Sequence, residues 1–224
     1  MTAEEFQRFA RVSRETLQDF LAFHALVLKW QAKMNLVSPT TLGEIWARHF
    51  ADSAQLFPLL EPGWNEVADL GSGAGFPGLV LAILSRGQNR ACRFHLIEAD
   101  GRKAAFLIDA ALNLKLLNTS LFVHAQRAER LGTSPLAGRM DAVTARALAP
   151  LPELLGLAEK LLRADGACLL LKGARADEEL AAAETAGWRF AAERHPSRVG
   201  DGTILTLRGL SRAATLDGRP RAKL

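Results

Sequence analysis

The stretch Asp69-Leu70-Gly71-Ser72-Gly73-Ala74-Gly75-Phe76-Pro77-Gly78 leaves one apolar run at Val67 and enters another at Leu79. Glycines at this spacing let the backbone turn tightly between a strand and a helix and approach a ligand closely. A chain built this way is expected to be an α/β protein that holds its ligand at the carboxyl end of the first strand. The residues that follow agree, because short apolar runs alternate with helical segments as in βαβ units and a mostly parallel sheet. Seven strands are expected: Glu66 to Leu70, Arg93 to Ile97, Ser120 to Val123, Ala142 to Ala145, Ala167 to Leu171, Arg189 to Glu193 and Thr203 to Leu207. Between them lie helices near Pro77 to Leu84, Arg102 to Leu112, Leu151 to Leu162 and Asp177 to Ala186.

The first sixty residues read differently. Leu17, Phe20, Leu21, His24, Val27 and Leu28 recur at three- and four-residue steps and predict one face of a helix. Pro39, Thr41 and Glu44 have the look of a capping box opening a second helix through Ile45, Trp46, Phe50 and Leu56, which ends near Pro58 and the Glu61-Pro62-Gly63 turn. The chain therefore divides into a helical extension over residues 1–62, a doubly wound, Rossmann-like domain over 63–210, and a short basic tail over 211–224.

The loop also discriminates between ligands. Gly73-x-Gly75-x-x-Gly78 matches the dinucleotide fingerprint, so a nicotinamide-dependent oxidoreductase is the rival reading. Asp69 argues against it, because a carboxylate at the strand end repels a pyrophosphate and attracts an ammonium or sulfonium group. Pro77 at the helix start lacks the N–H that phosphate binding uses there. Glu98, at the end of the second strand, is placed to accept hydrogen bonds from both hydroxyls of a ribose. S-adenosylmethionine carries that ribose and both cations.

Composition narrows the setting. No run of about eighteen apolar residues occurs, and charges in the first fourteen residues are unlike a signal peptide, which predicts a cytoplasmic protein without a membrane span. The two cysteines, Cys92 and Cys168, each lead into an apolar run and read as buried thiols, and no metal site is expected. From Arg189 onward eight Arg or Lys stand against Glu193, Asp201 and Asp217, a basic end compatible with a polyanionic partner.

Several segments taken together resemble the bacterial small-subunit ribosomal RNA guanine-7 methyltransferases, the glucose-inhibited division protein B family. They are Trp30 with Asn35-Leu36-Val37-Ser38, Arg48-His49-Phe50-Ala51-Asp52-Ser53, the loop from Asp69 to Gly78, Leu96 to Leu107 with Lys103, Ala145 to Leu151, and Leu170 to Gly173. The resemblance implies a class I methyltransferase that delivers a methyl group from S-adenosylmethionine to ring nitrogen 7 of a guanine in the decoding region of 16S rRNA. It implies 16S rRNA in the small ribosomal subunit as partner; the chain itself is expected to be a monomer. It also places cofactor contacts on Gly71, Gly73 and Phe76, on Glu98, on Ala128 and Glu129, and on Arg146. Asp69 joins them through its charge.

The residues agree with this chemistry. No Asn/Asp-Pro-Pro-aromatic loop for an exocyclic amine follows the fourth strand, and neither cysteine sits on an active-site loop where pyrimidine methylation needs one. Ring nitrogen 7 carries a free lone pair and no proton, so no catalytic base is expected. Arg146 is expected to position cofactor and guanine, and Lys172, at the carboxyl edge of the sheet, to contact substrate. Lys103 reads as a solvated lysine, a ribosomal RNA phosphate contact or a partner of a nearby acid, and not as a catalytic residue. His49, Asp52 and Ser53 invite a hydrolase reading, but with no Gly-x-Ser-x-Gly elbow the histidine reads as a structural hydrogen-bonder. A non-catalytic RNA-binding or ribosome-assembly protein is a further alternative.

Overall fold

The computed structural model describes residues 1–212. A seven-stranded sheet runs in the order β3-β2-β1-β4-β5-β7-β6, with β1 Glu66–Leu70, β2 Arg93–Glu98, β3 Leu121–Ala125, β4 Met140–Arg146, β5 Leu162–Lys172, β6 Trp188–Pro196 and β7 Thr203–Arg212. The first five in that order pair in parallel, and β7 runs antiparallel to both β5 and β6. Strand order reverses between β1 and β4, which opens a crevice above their carboxyl ends.

Side-chain alternation assigns each strand residue to one of two layers. Val67, Phe94, Leu96, Ala142 and Leu169 face a layer built from α1 Ala3–Ala10, α2 Arg14–Gln31, α5 Gly78–Gly87 and α6 Gly101–Asn113. Ala68, Leu70, Ile97, Val143 and Leu170 face α7 Leu151–Ala158, α8 Ala176–Thr185 and a 3-10 turn at Ala128–Thr133. In α5 every residue from Gly78 to Ser85 is buried, because one side meets the sheet and the other meets α2. Leu79-Val80-Leu81-Ala82-Ile83-Leu84 is apolar all round for that reason. The helices before residue 62 thus share a core with the sheet. Trp30 ties α2 to α6 through a 2.8 Å bond from its indole N–H to Asp109 Oδ2.

Two expectations for the helical extension are corrected. On α2 the buried apolar set is Leu17, Phe20, Phe23 and Val27, while Leu28 is exposed and His24 half-buried. Phe23 faces inward because Phe50, Phe76 and Phe106 surround it. The predicted second helix is broken into α3 Pro39–Leu42, a π-helical turn Trp46–Ala51 and α4 Asp52–Ala54. Pro39 starts α3 after Ser38, so Thr41 is not a cap; its hydroxyl meets Ser38 O and His49 Nε2 instead. A reciprocal capping box does exist, at Thr2 and Glu5 of α1.

Helix α7 also stops earlier than expected, because Leu162 is recruited into β5 opposite Met140. At the amino edge of the sheet, buried Asp141 accepts Asn65 N at 2.6 Å and Glu66 N at 2.8 Å while its other oxygen pairs with the half-exposed Arg163. In Asp141→Asn one oxygen still serves both amides and the pair with Arg163 is lost. That variant should lose about 1 kcal/mol and melt roughly 2–4 °C lower, with unchanged S-adenosylhomocysteine affinity by calorimetry.

Candidate functional site

The crevice is built on the glycine-rich loop between β1 and α5. Gly71 and Gly73 have φ of +66° and +54°, values that a side chain strains, and their turn is fixed by Gly71 N and Ser72 N donating to Ile97 O on β2. A Cβ on Gly73 would meet only Gly71 O, at 3.8 Å, so this part of the loop faces open space. Beside it, Glu98 accepts Gly73 N and Asp100 N, both at 2.8 Å. The acid at the end of β2 therefore braces the loop, and each of its oxygens retains a further lone pair.

Asp69 lies beneath the loop, 1% exposed, and not in the open crevice where a direct ligand contact was expected. Its Oδ1 accepts Thr144 Oγ1 at 2.8 Å and its Oδ2 accepts Gly78 N at 3.2 Å. Burial pushes its pKa up to about 6 against the opposing pull of those hydrogen bonds and of Arg146. The Gly78 amide at the start of α5 is thus taken by a carboxylate of the chain itself, and Pro77 before it offers none. A pyrophosphate finds no free amide at Pro77 or Gly78 of the helix start and meets a negative charge beneath it, whereas a cationic nucleoside conjugate meets a favourable field. Open glycine backbone, a ribose-competent acid and a buried anion together fit S-adenosylmethionine.

Arg146 closes the crevice at the end of β4. Its guanidinium lies 5.4 Å over the Phe76 ring, donates to Arg48 O at 3.1 Å and comes within 4.0 Å of Asp52 Oδ2. Gly71, Gly73, Phe76, Glu98 and Arg146 are therefore gathered at one sheet edge. The Phe76 side chain, however, is a core residue, 3% exposed among Phe23, Phe50 and His49. Its role is to anchor the loop to the helical extension.

The remaining expected residues lie outside this cluster, some of them adjoining it. Ala128 and Glu129 open the 3-10 turn after β3, and Glu129 lines a 640 Å³ cavity with Leu148, Ala149, Glu153, Trp188 and Arg212. That cavity adjoins the crevice through Leu148, whose side chain packs over Gly71. Lys172 is 8% exposed and held by Glu179 at 2.7 Å, so the sheet-edge lysine expected to face substrate is engaged inside the chain. Lys103 is half-buried at the start of α6.

His49 Nε2 meets Thr41, its Nδ1 has no partner among the described residues, and burial lowers its pKa to about 3. Ser53 Oγ is likewise unpartnered, so no His-Asp-Ser relay exists among the described residues. Cys92 and Cys168 are buried thiols whose pKa burial raises to about 12. Of the basic residues beyond Arg189, Arg194 pairs with Asp177, Arg198 covers Phe9, and Arg208 pairs with Glu61 over Trp64. Residues 219, 221 and 223 lie outside the described residues.

Sequence reasoning missed Thr144, the Asp52-Gln55-Ser197 contacts and Leu148. Thr144 alone left a signal, a polar residue inside the apolar run Ala142-Val143-Thr144-Ala145.

Comparison with known proteins places this geometry. The family model "rRNA small subunit methyltransferase G" matches residues 16–196. A ribosomal RNA small subunit methyltransferase G of Rhodospirillum centenum is 50% identical over 206 residues, 92% of this chain and 89% of the relative. One of Parvibaculum lavamentivorans is 41% identical, covering 99% of this chain and 94% of the relative. An O-methyltransferase from Bacillus cereus, solved in complex with SAH, superposes with a TM-score of 0.57 at 18% identity over 83% of this chain and 90% of that one. A SAM-dependent methyltransferase from Aquifex aeolicus gives 0.54 at 17% identity over 76% and 92%. These two likenesses are of fold.

Proposed function

The chain belongs to the rRNA small subunit methyltransferase G family, and from that premise we propose that it methylates ring nitrogen 7 of a guanine in the decoding region of 16S rRNA within the small ribosomal subunit. S-adenosylmethionine, when bound, supplies an electrophilic methyl group on a sulfonium. Gly71 turns the loop and Gly73 admits the cofactor to the backbone, Glu98 accepts its ribose hydroxyls, and Asp69 favours its positive charge from below. Ala128 and Glu129 border the same end of the sheet. Residues 63–210 act as the cofactor-binding domain and residues 1–62 as an extension whose helices complete the crevice.

The observation that carries the acceptor is the Arg146 guanidinium at the end of β4, over Phe76, a fork of donors suited to the oxygen-6 edge of guanine. His49, with a pKa of about 3, is a poor proton acceptor at neutral pH. Methylation of an amine requires that a proton leave, whereas attack by nitrogen 7 requires alignment and desolvation only. Arg146 supplies alignment through its fork of donors beside Phe76.

Small subunits from cells lacking this protein, incubated with it and with labelled S-adenosylmethionine, should yield labelled 7-methylguanosine on nucleoside analysis. Label on an amine, a carbon or a ribose would overturn the assignment.

A further inference from the structure

Asp52 stands in an unusual position for a surface-proximal carboxylate. Its side chain is only 25% exposed, yet Oδ2 accepts no hydrogen bond among the described residues. Arg146 Nη1, at 4.0 Å, is beyond hydrogen-bond reach and donates to Arg48 O instead. Oδ1 has a single long contact, 3.3 Å from Gln55 Nε2, and that amide also serves Ser197 Oγ at 3.2 Å. A locked Arg–carboxylate pair is bidentate at about 2.8 Å, so Asp52 is not simply a clamp for Arg146. Burial raises its pKa, opposed by Arg146 and Arg48. What remains beside the crevice is a partly desolvated acceptor with spare lone pairs, next to a guanidinium.

Guanine is the base that matches this arrangement. Its Watson–Crick edge offers two adjacent donors, N1–H and N2–H, which a carboxylate accepts together. Adenine offers an acceptor at N1 and meets repulsion, and pyrimidines have no nitrogen 7. Methylation adds a second reason. The methyl–sulfur bond breaks with its electron pair kept by sulfur, the lone pair of nitrogen 7 forms the new bond, and no proton moves. The positive charge therefore passes to the purine. A carboxylate on the N1–H side interacts more strongly with that purine in the transition state than in the ground state.

We propose that Asp52 reads the Watson–Crick edge of the target guanine, selecting guanine over adenine and favouring the charge that methylation places on the ring. The inference rests on the guanine assignment above. It makes α4 of the helical extension part of the substrate site, which explains why a segment outside the sheet is carried over the crevice.

The test uses small subunits reconstituted with 16S rRNA bearing either guanosine or inosine at the methylated position. Inosine keeps nitrogen 7, oxygen 6 and N1–H but lacks the N2 amino group. The wild-type protein should lose about 10- to 100-fold in kcat/KM on inosine. Asp52→Asn presents an amide N–H toward the N2 amino group. It should lose about 100-fold on guanosine, mainly in kcat, while its guanosine-to-inosine ratio falls to within about threefold of unity.

S-adenosylhomocysteine affinity by calorimetry should change less than about threefold, and Asp52→Glu should retain an inosine penalty. An undiminished ratio in Asp52→Asn, a fall in S-adenosylhomocysteine affinity that matches the activity loss, or no inosine penalty in the wild type would each overturn the proposal. Absence of 7-methylguanosine from wild-type protein on guanosine subunits would instead overturn the assignment on which it rests.

Discussion

Replacing Gly78 with alanine should abolish S-adenosylhomocysteine binding and lower the melting temperature by roughly 6–12 °C. A Cβ at position 78 would stand 2.4 Å from Leu96 Cδ2, 2.7 Å from Asp69 Cβ and 2.8 Å from Asp69 Oδ2. Leu96 is a flexible side chain that can turn aside. Asp69 Cβ is fixed to β1, so the start of α5 must lift away from the sheet. Lifting it stretches the Gly78 N to Asp69 bond and drags the loop whose open backbone faces the ligand. The combined overpacking and lost hydrogen bond amount to about 3 kcal/mol. Gly101→Ala is the control, because nothing lies within 4 Å of a Cβ there and the position opens α6. Thermal melting and calorimetry on both variants check the prediction. A Gly78→Ala protein with wild-type affinity would show that the loop tolerates a displaced α5.

Gly78 also shows what could be read from the chain and what could not. The glycine spacing, the apolar runs and Glu98 at a strand end were legible because each is local. Backbone freedom, strand alternation and the end of β2 are set within a few residues of themselves. All seven strands were anticipated, but β5 is longer than expected because its pairing with β4 reaches back to Leu162, and β6 and β7 are longer because they pair with each other from Trp188 opposite Arg212 to Pro196 opposite Thr203. The broken helix at residues 39–54 was not legible. Its course depends on Thr41 meeting His49 and on Phe50 packing against Phe6, Phe20 and Phe23. Those contacts join positions distant in the chain, so the local capping pattern was overridden. Lys172 illustrates the same limit, since its engagement depends on Glu179, which only α8 brings within reach. The position of Asp69 beneath the loop followed from nothing local either. Its partner Thr144 arrives from β4 across the switch point.

Asp69 carries the second large prediction. Asp69→Asn should make the protein more stable at neutral pH and a poorer binder of its cofactor. The native pKa of about 6 lies above the ordinary value for an unfolded aspartate, about 3.9. The folded state thus holds a proton that the unfolded chain releases, and stability falls as pH rises from about 4 to about 6, then levels off. Ionisation above pH 6 costs folding about 3 kcal/mol. Asparagine carries no such penalty and keeps the geometry, because its oxygen can accept Gly78 N while its amide donates to Thr144 Oγ1. The variant should therefore gain about 1–3 kcal/mol at pH 7.5 and nothing below pH 4.

Binding should move the other way. A bound sulfonium or ammonium favours the ionised carboxylate, so wild-type affinity should climb as pH rises through 6, and the variant should be weaker by roughly tenfold and flat with pH. The loss should be greater for S-adenosylmethionine, which carries both cations, than for S-adenosylhomocysteine, which carries one. Thermal melts from pH 4 to 8 and calorimetry with both ligands separate the two effects. Equal losses for the two ligands would assign the charge of Asp69 to the amino group alone. No loss for either would reduce it to a support for α5, leaving Glu98 as the carboxylate beside the loop that favours a cationic cofactor.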